Sequence, residues 1–560
     1  MMEENIADTM AKAHKAISIA EFFEKNKHLL GYENLQKSLL TVVREGVDNS
    51  LDACEEARIL PDIYVELQKK ANADARFKVI IEDNGPGIVK KNIPKIFGKL
   101  LYGSKFHRLR QSRGQQGIGI SAAVLYGQLT TGKSAKIYSR INDGKTHIYE
   151  LHIDIQTNEP VIVSEDTVYG TGHGTRIEIE VKGRYVKGKQ SIYEYLQQTA
   201  IMNPFSKIVF VDPEGEKFEF PRAVDELPKE PREIMPHASG IELGTMLRMM
   251  KNTKSRMISG FLASEFSRIS SEKAKELCVL ANVDPKVSPS SLTRDEADAL
   301  HEQMQKAKLQ NPPTDCLSPI GAKPIEEGLK KELNPEFVSA VSRSATVYAG
   351  NPFLVEVGIA YGGSLDPEGS VQIMRFANKV PLLYEQSACA ITKSVIQTDW
   401  RRYKLSQSGG SLPVGPVAIT VHFASVWVPY TSEGKEAIAA YPIIIKEIRL
   451  AMQEAARRLG LYLSKKRRAN EAEEKKALFH RYIRELAGAL HDLTGKDGKV
   501  IESQLSELIT EKLKTMIIED AEEGSEQSLD ETIDDENMVD GDVEDDVSDD
   551  RDDEDKERGE

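Results

Sequence analysis

Two polar residues four positions apart, Glu45 and Asn49, could do chemistry in the segment R-E-G-V-D-N-S-L-D-A. Residues with this spacing share one face of a helix. A carboxylate placed there can orient or activate a water, and the amide oxygen can complete an octahedral Mg²⁺ that phosphates and waters otherwise hold. Gly46 needs a reason to be there, because glycine inside a helix costs up to about 1 kcal/mol relative to alanine. Taken alone, the pair also fits an ordinary solvated helix face.

A second candidate is the turn D-N-G-P-G, from Asp83 to Gly87, which directly follows an apolar strand. Asp83 can accept a hydrogen bond from an adenine amino group, and Gly85 and Gly87 let the backbone pass close to a ligand. The alternative is an ordinary turn after a strand.

Two glycine-rich segments follow. G-Q-Q-G-I-G, residues 114–119, opens a predicted helix, where backbone N–H groups and the helix dipole favour phosphate oxygens. T-G-H-G-T, residues 171–175, precedes a predicted strand and could simply be a connecting turn. Neither segment is specific by itself.

Residues 127–134, GQLTTGKS, match the P-loop pattern G-x-x-x-x-G-K-S/T literally. A working P-loop needs a strand before it and a helix after it, so that helix amides face the phosphate. Here a helix-like segment, SAAVLYG, precedes and a strand-like segment, AKIYSRI, follows. The reversed order predicts that this match does not bind phosphate.

The elements that must position these residues can be predicted from periodicity. Residues 18–56 are predicted to be helical, short strands follow, and several alternating segments up to about residue 225 predict an antiparallel or mixed sheet. Residues 240–306 are predicted to be all-helical, with a capping box at Thr293 and Glu296. Strands and helices resume near residue 335, and a charged helix is predicted from about 442 to 487.

Charge is unevenly distributed along the 560 residues, whose net charge is −14. The segment 519–560 has 23 acidic and three basic residues, so this tail carries −20 and the remaining body +6. A mildly basic body leaves nucleic-acid binding open, and the tail is predicted to be disordered. The apolar stretch that ends at Tyr430 is interrupted by polar residues and bounded by prolines, which indicates a buried strand and no membrane span. Four scattered cysteines predict neither disulfides nor zinc, and we expect an intracellular protein.

The order and spacing of the motifs in residues 18–225 resemble the ATPase domain shared by gyrase, the heat-shock chaperones, histidine kinases and MutL. This resemblance implies ATP and Mg²⁺ as ligands, with Glu45 as general base, Asn49 as the Mg²⁺ ligand and Asp83 as the adenine acceptor. It further implies a set of nucleotide-binding residues: Gly85 and Gly87 at the base pocket, Gly114, Gln115, Gln116, Gly117, Ile118 and Gly119 around the triphosphate, Thr175 at the adenine end, and Lys105 as a further nucleotide-binding residue.

Longer segments resemble one branch of this superfamily, the B subunits of archaeal type IIB topoisomerases (topoisomerase VI). They are REGVDNSLDAC, GKLLYGSKFHRLRQSRGQQGIGISA, QLTTGKSAKIYS and PYTSEGKEAI. In the last of them Lys435 would be the switch lysine that contacts the γ-phosphate. An exposed lysine before a helix is more commonly just solvated.

The resemblance implies an α+β multidomain fold. We expect an N-terminal arm (1–18), an α/β-sandwich ATPase domain (19–225), a linker with a helix–two-turns–helix domain (226–310), an α/β transducer domain ending in a long helix (311–487), a short helical extension (488–518) and a disordered acidic tail (519–560). The role of that tail stays open.

The implied function is ATP-driven passage of one DNA duplex through a break in another, which relaxes and decatenates DNA. A topoisomerase VI A subunit would make the break within an A2B2 heterotetramer, and ATP would bring the two B chains together. We expect double-stranded DNA to be bound without sequence specificity, in the cytoplasm at the nucleoid, and the basic run 465–468 could contact it. A MutL-like mismatch-repair clamp and a chaperone-like ATP clamp remain alternatives, because both would share Glu45, Asn49 and Asp83.

Overall fold

The architecture comes from a computed structural model of the chain. It describes residues 14, 17–70, 75–105, 108–114, 117–432 and 434–508. Gln115 and Gln116, the acidic tail and most of the N-terminal arm lie outside the described residues. The chain divides into two compact units, of which the first contains residues up to 398 and 409–455, and the second contains residues 399–408 and those from 456 onward.

An eight-stranded mixed sheet forms the first layer of the first unit. Its strands are β1 Asp62–Lys69, β2 Arg76–Asp83, β3 Ala135–Ile141, β4 Lys145–Asp154, β5 Glu159–Tyr169, β6 His173–Lys182, β7 Lys207–Val211 and β8 Lys217–Phe220. The spatial order is β5-β4-β3-β6-β2-β1-β7-β8. All neighbours pair antiparallel except β1 and β7, which are parallel, so the sheet is mixed as the sequence predicts.

The α-helices that accompany this sheet in the described part of the chain are α1 Ile19–Lys25, α2 Leu35–Glu56, α3 Ile93–Gly98, α4 Gly119–Thr131 and α5 Ile192–Met202. Helix α2 starts where the Asn34 side chain accepts the backbone N–H of Lys37, a typical N-cap. Its apolar residues, among them Leu39, Val43 and Val47, are fully buried in the same core as the inner faces of β2 and β6. The other face of α2 is therefore free to carry polar residues.

A helical segment follows, with α6 Leu243–Asn252, α7 Ile258–Glu265, α8 Ser271–Leu280 and α9 Arg294–Lys306. The predicted capping box is present, since Thr293 accepts the Glu296 backbone N–H and the Glu296 carboxylate accepts that of Thr293. These helices enclose a hydrophobic core of their own, centred on Met246, Phe261 and Leu277.

A second sheet completes the first unit. Helix α10 Ala322–Leu333 precedes it, and its strands are β9 Phe337–Ser342, β10 Thr346–Tyr348, β11 Asn351–Tyr361, β12 Gln372–Ala377, β13 Val380–Pro381 and β14 Val417–Ser425. The order is β10-β11-β14-β12-β13, with β9 also paired to β11. Strand β14 is buried at every position, as predicted from its apolar sequence. Helix α11 Ala390–Gln397 lies between β13 and β14 in the chain.

The long helix α12 Pro442–Thr494 begins in the first unit and continues into the second. It starts at the predicted position and extends seven residues beyond the predicted end, and residues 498–508 form a further helix. Within the described part of the chain, no helix is both long enough and apolar enough to cross a membrane. The four cysteines are buried and free.

Candidate functional site

Glu45 and Asn49 lie on the polar face of α2, as their spacing predicts. The Glu45 side chain is 26% exposed and its Oε1 lies 3.2 Å from an Arg44 guanidinium nitrogen. Asn49 is exposed one turn further along. Between them Gly46 faces the sheet, where a Cβ would overlap the Cδ1 atom of Ile81 on β2. The glycine that costs helix propensity is therefore required by the close approach of α2 to the sheet.

Asp83, the last residue of β2, accepts three hydrogen bonds. They come from the hydroxyl of Ser50 on α2 at 2.8 Å and from the backbone N–H groups of Gly85 at 2.9 Å and Thr175 at 3.1 Å. Burial raises the pKa of Asp83, although these three donors oppose the shift. The structure thus brings together Asp83, Gly85 and Thr175, which the sequence predicted at an adenine pocket.

Two glycines next to Asp83, Gly87 in the turn after β2 and Gly174 at the start of β6, have no room for a side chain. Gly87 has φ +73°, and a Cβ there would overlap the backbone carbonyl of Arg140 on β3. Gly174 has φ +137°, and a Cβ there would overlap the carbonyl oxygen of Asp83. Both glycines lie against neighbouring strands, because the backbone there comes closer than any L side chain permits. The Asp83 carboxylate is therefore held beside closely packed backbone.

The glycine-rich loop leads directly to Glu45. Helix α4 starts at Gly119, and a Cβ on that residue would overlap the Oε2 atom of Glu45. Gly117 has φ +60°, and the N-cap residue Ile118 has no side chain that can accept a hydrogen bond from the first amides of α4. A bare helix N-terminus beside a carboxylate can receive a phosphate while a water is held at Glu45. Gly114 is described and has open space around its Cα.

Lys105 pairs with two acids, a contact that the sequence did not predict. Its Nζ lies 2.7 Å from Asp52 and 3.5 Å from Glu56, both on α2. Burial opposes the charge of Lys105, but the two carboxylates outweigh burial and raise its pKa. Asp52 follows Asn49 by three residues and so lies on the same helical face. The role of Lys105 in nucleotide binding stays a prediction, and in this structure the lysine pairs with acids next to the predicted site.

Asp48 is a further carboxyl close to Glu45. Its Oδ1 accepts the hydroxyl hydrogen of Tyr195 on α5 at 2.9 Å. Burial and the charge of Glu45 raise the pKa of Asp48 to about 7. Helix α2 thus carries two carboxyl groups in different environments. Glu45 is partly exposed, and Asp48 is held against the core by Tyr195.

Lys435 lies in the loop between β14 and α12, with φ +55° and a partly exposed side chain. The next residue, Glu436, is buried and makes an ion pair with Lys37 in the first turn of α2. Lys37 also lies 5.0 Å from the ring of Tyr384, and burial raises the pKa of Tyr384 to about 12. The segment of Lys435 is thereby held against the helix that carries Glu45.

Three groups of the site were missed by the sequence analysis. Ser50 follows Asn49 directly, and its link to Asp83 had only a weak local signal. Asp52 could have been found, since it lies seven residues after Glu45 on the same helical face. The contact of Lys379 with Glu55, described below, joins residues 324 positions apart and has no local signal.

No cluster of three or more His, Cys, Asp or Glu side chains suited to a metal ion is present among the described residues. The residues of the site fit ATP, because a buried acceptor (Asp83) and the uncapped start of α4 (Gly119) both contact α2, at Ser50 and at Glu45 respectively. Asn49 is the exposed oxygen ligand that a phosphate-held Mg²⁺ would need.

Comparison with known proteins identifies two families. Residues 37–175 match the family described as histidine kinase-, DNA gyrase B- and HSP90-like ATPase, and residues 312–475 match the topoisomerase VI B subunit transducer. The two matched segments contain all of the predicted site residues.

Relatives that match most of the chain are named as B subunits of type 2 DNA topoisomerase 6. One from Methanosarcina acetivorans is 50% identical over 499 residues, which is 89% of this chain and 80% of the relative. One from Archaeoglobus fulgidus is 51% identical and covers 82% of this chain and 76% of the relative. One from Pyrococcus furiosus is 41% identical and covers 90% and 96% respectively.

Proposed function

This chain belongs to the topoisomerase VI B subunit family, and from that premise we propose how its nucleotide site works in DNA strand passage. The chain is the ATP-binding, ATP-hydrolysing subunit of a type II DNA topoisomerase. An A subunit and DNA are its partners. We propose how this chain assembles, which roles its individual residues have and how those roles are coupled.

The contact of Glu45 with Gly119 carries the proposal. It joins the candidate general base to the start of the helix that would receive the phosphates. A water between a carboxylate and a γ-phosphate is in position for in-line attack, and proton transfer to a positioned base contributes typically about 10²–10⁴-fold in rate. Asp83, which contacts α2 at Ser50, would orient the adenine through its amino group.

The remaining site residues have supporting roles. Gly85, Gly87 and Thr175 shape the base pocket, and residues 114–119 surround the triphosphate with backbone N–H groups. Mg²⁺, when bound with ATP, would be held by Asn49 and would neutralise phosphate charge. Lys105 would exchange Asp52 for a phosphate, since a triphosphate offers it more negative charge.

Lys435 would report the presence of the γ-phosphate to the transducer. A lysine is a compact point charge on a flexible stem, which suits a contact that forms and breaks during a cycle. When Lys435 reaches the phosphate, the loop between β14 and α12 is drawn towards the nucleotide, and α12 carries that change along the chain. Nucleotide-driven closure of two B chains, within an A2B2 assembly, would then control the passage of one duplex through another.

The basic run 465–468 on α12, in which Lys465, Arg467 and Arg468 are exposed, would contact duplex DNA through phosphates, without reading sequence. Because the substrate is chromosomal DNA, we place the protein in the cytoplasm at the nucleoid. We also propose the domain boundaries predicted from the sequence at 19–225 and 226–310, and a transducer that begins at 311 and whose long helix continues past the predicted end at 487 to Thr494.

The test is to copurify the chain with the A subunit of the same organism and measure relaxation of supercoiled plasmid with ATP, with AMPPNP and without nucleotide. We expect repeated relaxation only with ATP, ATP turnover that rises when DNA is added, and at most one passage per assembly with AMPPNP. If DNA and the A subunit leave ATP turnover unchanged and no relaxation occurs, the strand-passage proposal is wrong. A clamp of the MutL or chaperone type would then be the better account of the same residues.

A further inference from the structure

A tight turn of the transducer, Asn378–Lys379, connects β12 to β13, and both of its residues have positive φ. The Lys379 side chain is only 3% exposed. Its ammonium lies 2.9 Å from an oxygen of Glu55 on α2 and 3.2 Å from the hydroxyl of Ser318. A buried lysine is costly unless it is paired, so this contact is a built feature of the fold.

Glu55 is shared between Lys379 and Arg113, the residue immediately before the glycine loop. The Arg113 guanidinium binds Glu55, Asp52 at 2.8 Å and Asn203, and its side chain is also 3% exposed. Burial opposes the charge on Glu55, but the two cations outweigh it and lower the pKa of this carboxyl. Arg113, which precedes the glycine loop, is therefore fixed to α2 through the Glu55 carboxylate, and Lys379 helps to hold that carboxylate.

Further hydrogen bonds connect the residues just before the glycine loop to the transducer segment. The Asn378 side-chain amide donates to the carbonyl of Ser112 at 3.1 Å. The backbone N–H of Gln111 donates to the carbonyl of Cys316 at 2.9 Å, and the Gln111 side-chain oxygen accepts the backbone N–H of Ser318 at 2.7 Å. Gln111 and Ser112 are thus held directly from outside the ATPase segment, and Arg113 is connected to Lys379 through Glu55.

The turn itself is fixed to the centre of the second sheet. The backbone N–H of Lys379 donates to Nε2 of His422 on β14 at 3.0 Å. The Nδ1 atom of His422 must then carry the ring proton, and it lies 2.8 Å from a carboxylate oxygen of Glu356 on β11. Glu356 also accepts the backbone N–H groups of Ile320 and Gly321. The chain of contacts runs from the sheet to the residue before the glycine loop.

We propose that the Asn378–Lys379 turn is a positioning element for the phosphate-binding loop, and that Lys379 acts through Glu55 and Arg113. It would be a second link between transducer and nucleotide site, separate from the Lys435 loop. This proposal rests on the proposed function, because it assumes that residues 114–119 surround the triphosphate. A binding segment whose preceding residues, here Gln111 to Arg113, are already fixed has less conformational freedom to lose when it binds its ligand.

The test compares the affinity of variants for AMPPNP and for adenosine, which lacks the phosphates that the loop binds. We expect Lys379→Met to weaken AMPPNP binding about tenfold or more and adenosine binding less than about threefold, with a raised KM for ATP and a smaller change in kcat. Lys379→Arg keeps the charge and should restore most of the loss. Asn378→Ala should produce a smaller change of the same kind.

Two further variants keep the test informative if Lys379→Met does not fold. Glu55→Gln combined with Lys379→Met removes one negative and one positive charge together, and should fold while keeping the weakened AMPPNP binding. Arg343→Met is the matched control, because it removes a transducer cation that pairs with Glu447 and Glu454 away from the loop. It should leave both affinities unchanged.

Equal weakening of AMPPNP and adenosine in the folded variants, or no weakening of either, would overturn the positioning proposal while leaving the proposed function intact. Failure of the unsubstituted protein to hydrolyse ATP or relax DNA with its A subunit would instead remove the proposed function, and the positioning proposal with it.

Discussion

Two segments of the transducer contact α2, and they do so in opposite ways. At the start of the helix, Glu436 binds Lys37 while its neighbour Lys435 keeps a partly exposed side chain. At the end of the helix, Lys379 is itself buried against Glu55. Glu45 and Asn49 lie between these two contacts. Lys435 therefore has a side chain that can reach a ligand, whereas Lys379 has a structural role. Moving Lys379 away from Glu55 would leave a buried charge without its partner, which is costly.

The largest effect should come from the residue between the two contacts. Glu45→Ala should reduce ATP hydrolysis by about 10²–10⁴-fold, because it removes the base that orients the attacking water. Nucleotide-driven association of two B chains should survive, since the phosphate-binding loop and Lys435 are untouched. Single-turnover hydrolysis and size-exclusion chromatography with AMPPNP measure the two properties separately. Glu219→Ala, an acid on β8 paired only with surface lysines among its described contacts, is the matched control.

Hydrolysis that persists in Glu45→Ala within about threefold of the unsubstituted protein, well short of the loss expected for a general base, would place the base elsewhere. Asp48, which also lies on α2, would then be the next carboxyl to test.

Lys435→Met tests the partly exposed lysine of this comparison. We expect hydrolysis at saturating ATP to fall about tenfold to a hundredfold, because the γ-phosphate loses a cation where charge develops in the transition state. ADP affinity should hardly change, since the γ-phosphate is absent from ADP. Lys393→Met, on an exposed position of α11, is the control and should change neither. Equal losses for ATP and ADP would mean that Lys435, like Lys379, has a structural role, and the contrast between the two lysines would disappear.

The pattern of what could be predicted follows the same division. Glu45, Asn49, Asp83 and the start of α4 were predicted because each belongs to a local pattern, a helical face or a turn after a strand. Lys379 could not be predicted, because its contact with Glu55 depends on the packing of segments 324 residues apart.

Lys105 shows that a predicted site residue can have a contact that the sequence does not predict. The resemblance implies a nucleotide contact, and the structure pairs the lysine with Asp52. Asp52 is an anion on α2, and a phosphate bound beside Asn49 would be another, so the spacing in the sequence does not distinguish which of the two a lysine contacts. The long helix α12 was likewise predicted to start correctly, but its end was misjudged by seven residues, because the helix continues through Gly488 and ends before Gly495, whose φ is +70°.

Gly46→Ala should lower stability by about 1–3 kcal/mol, because the added Cβ overlaps Ile81 and forces α2 away from the sheet. A displaced α2 would disturb both transducer contacts at once, so thermal unfolding and ATP turnover should decline together. Gly244→Ala is the matched control, as this glycine is exposed in α6 with open space around it. There the usual gain of alanine in a helix, up to about 1 kcal/mol, should be seen. An unchanged melting temperature in Gly46→Ala would show that α2 is not closely held between its two ends.

The smallest effect is expected at Lys133, the lysine of the P-loop-like segment 127–134. The structure places residues 127–131 in the last turns of α4, with Gly132 as a left-handed C-cap, and β3 starts at Ala135. A phosphate here would meet the carbonyl end of a helix, where the dipole is negative, whereas the amide end of the same helix lies at Gly119 beside Glu45. Gly127 is explained by packing, because a Cβ would approach Glu180 and Ile179 on β6 to within 2.8 and 2.6 Å.

Lys133→Ala should therefore change ATP affinity and turnover by less than about twofold, measured by AMPPNP titration and steady-state hydrolysis, since exposed substitutions away from a site usually cost within about ±0.5 kcal/mol. Loss of ATP binding in this variant would move the nucleotide to the opposite end of α4, and neither transducer lysine could then be argued to act on it.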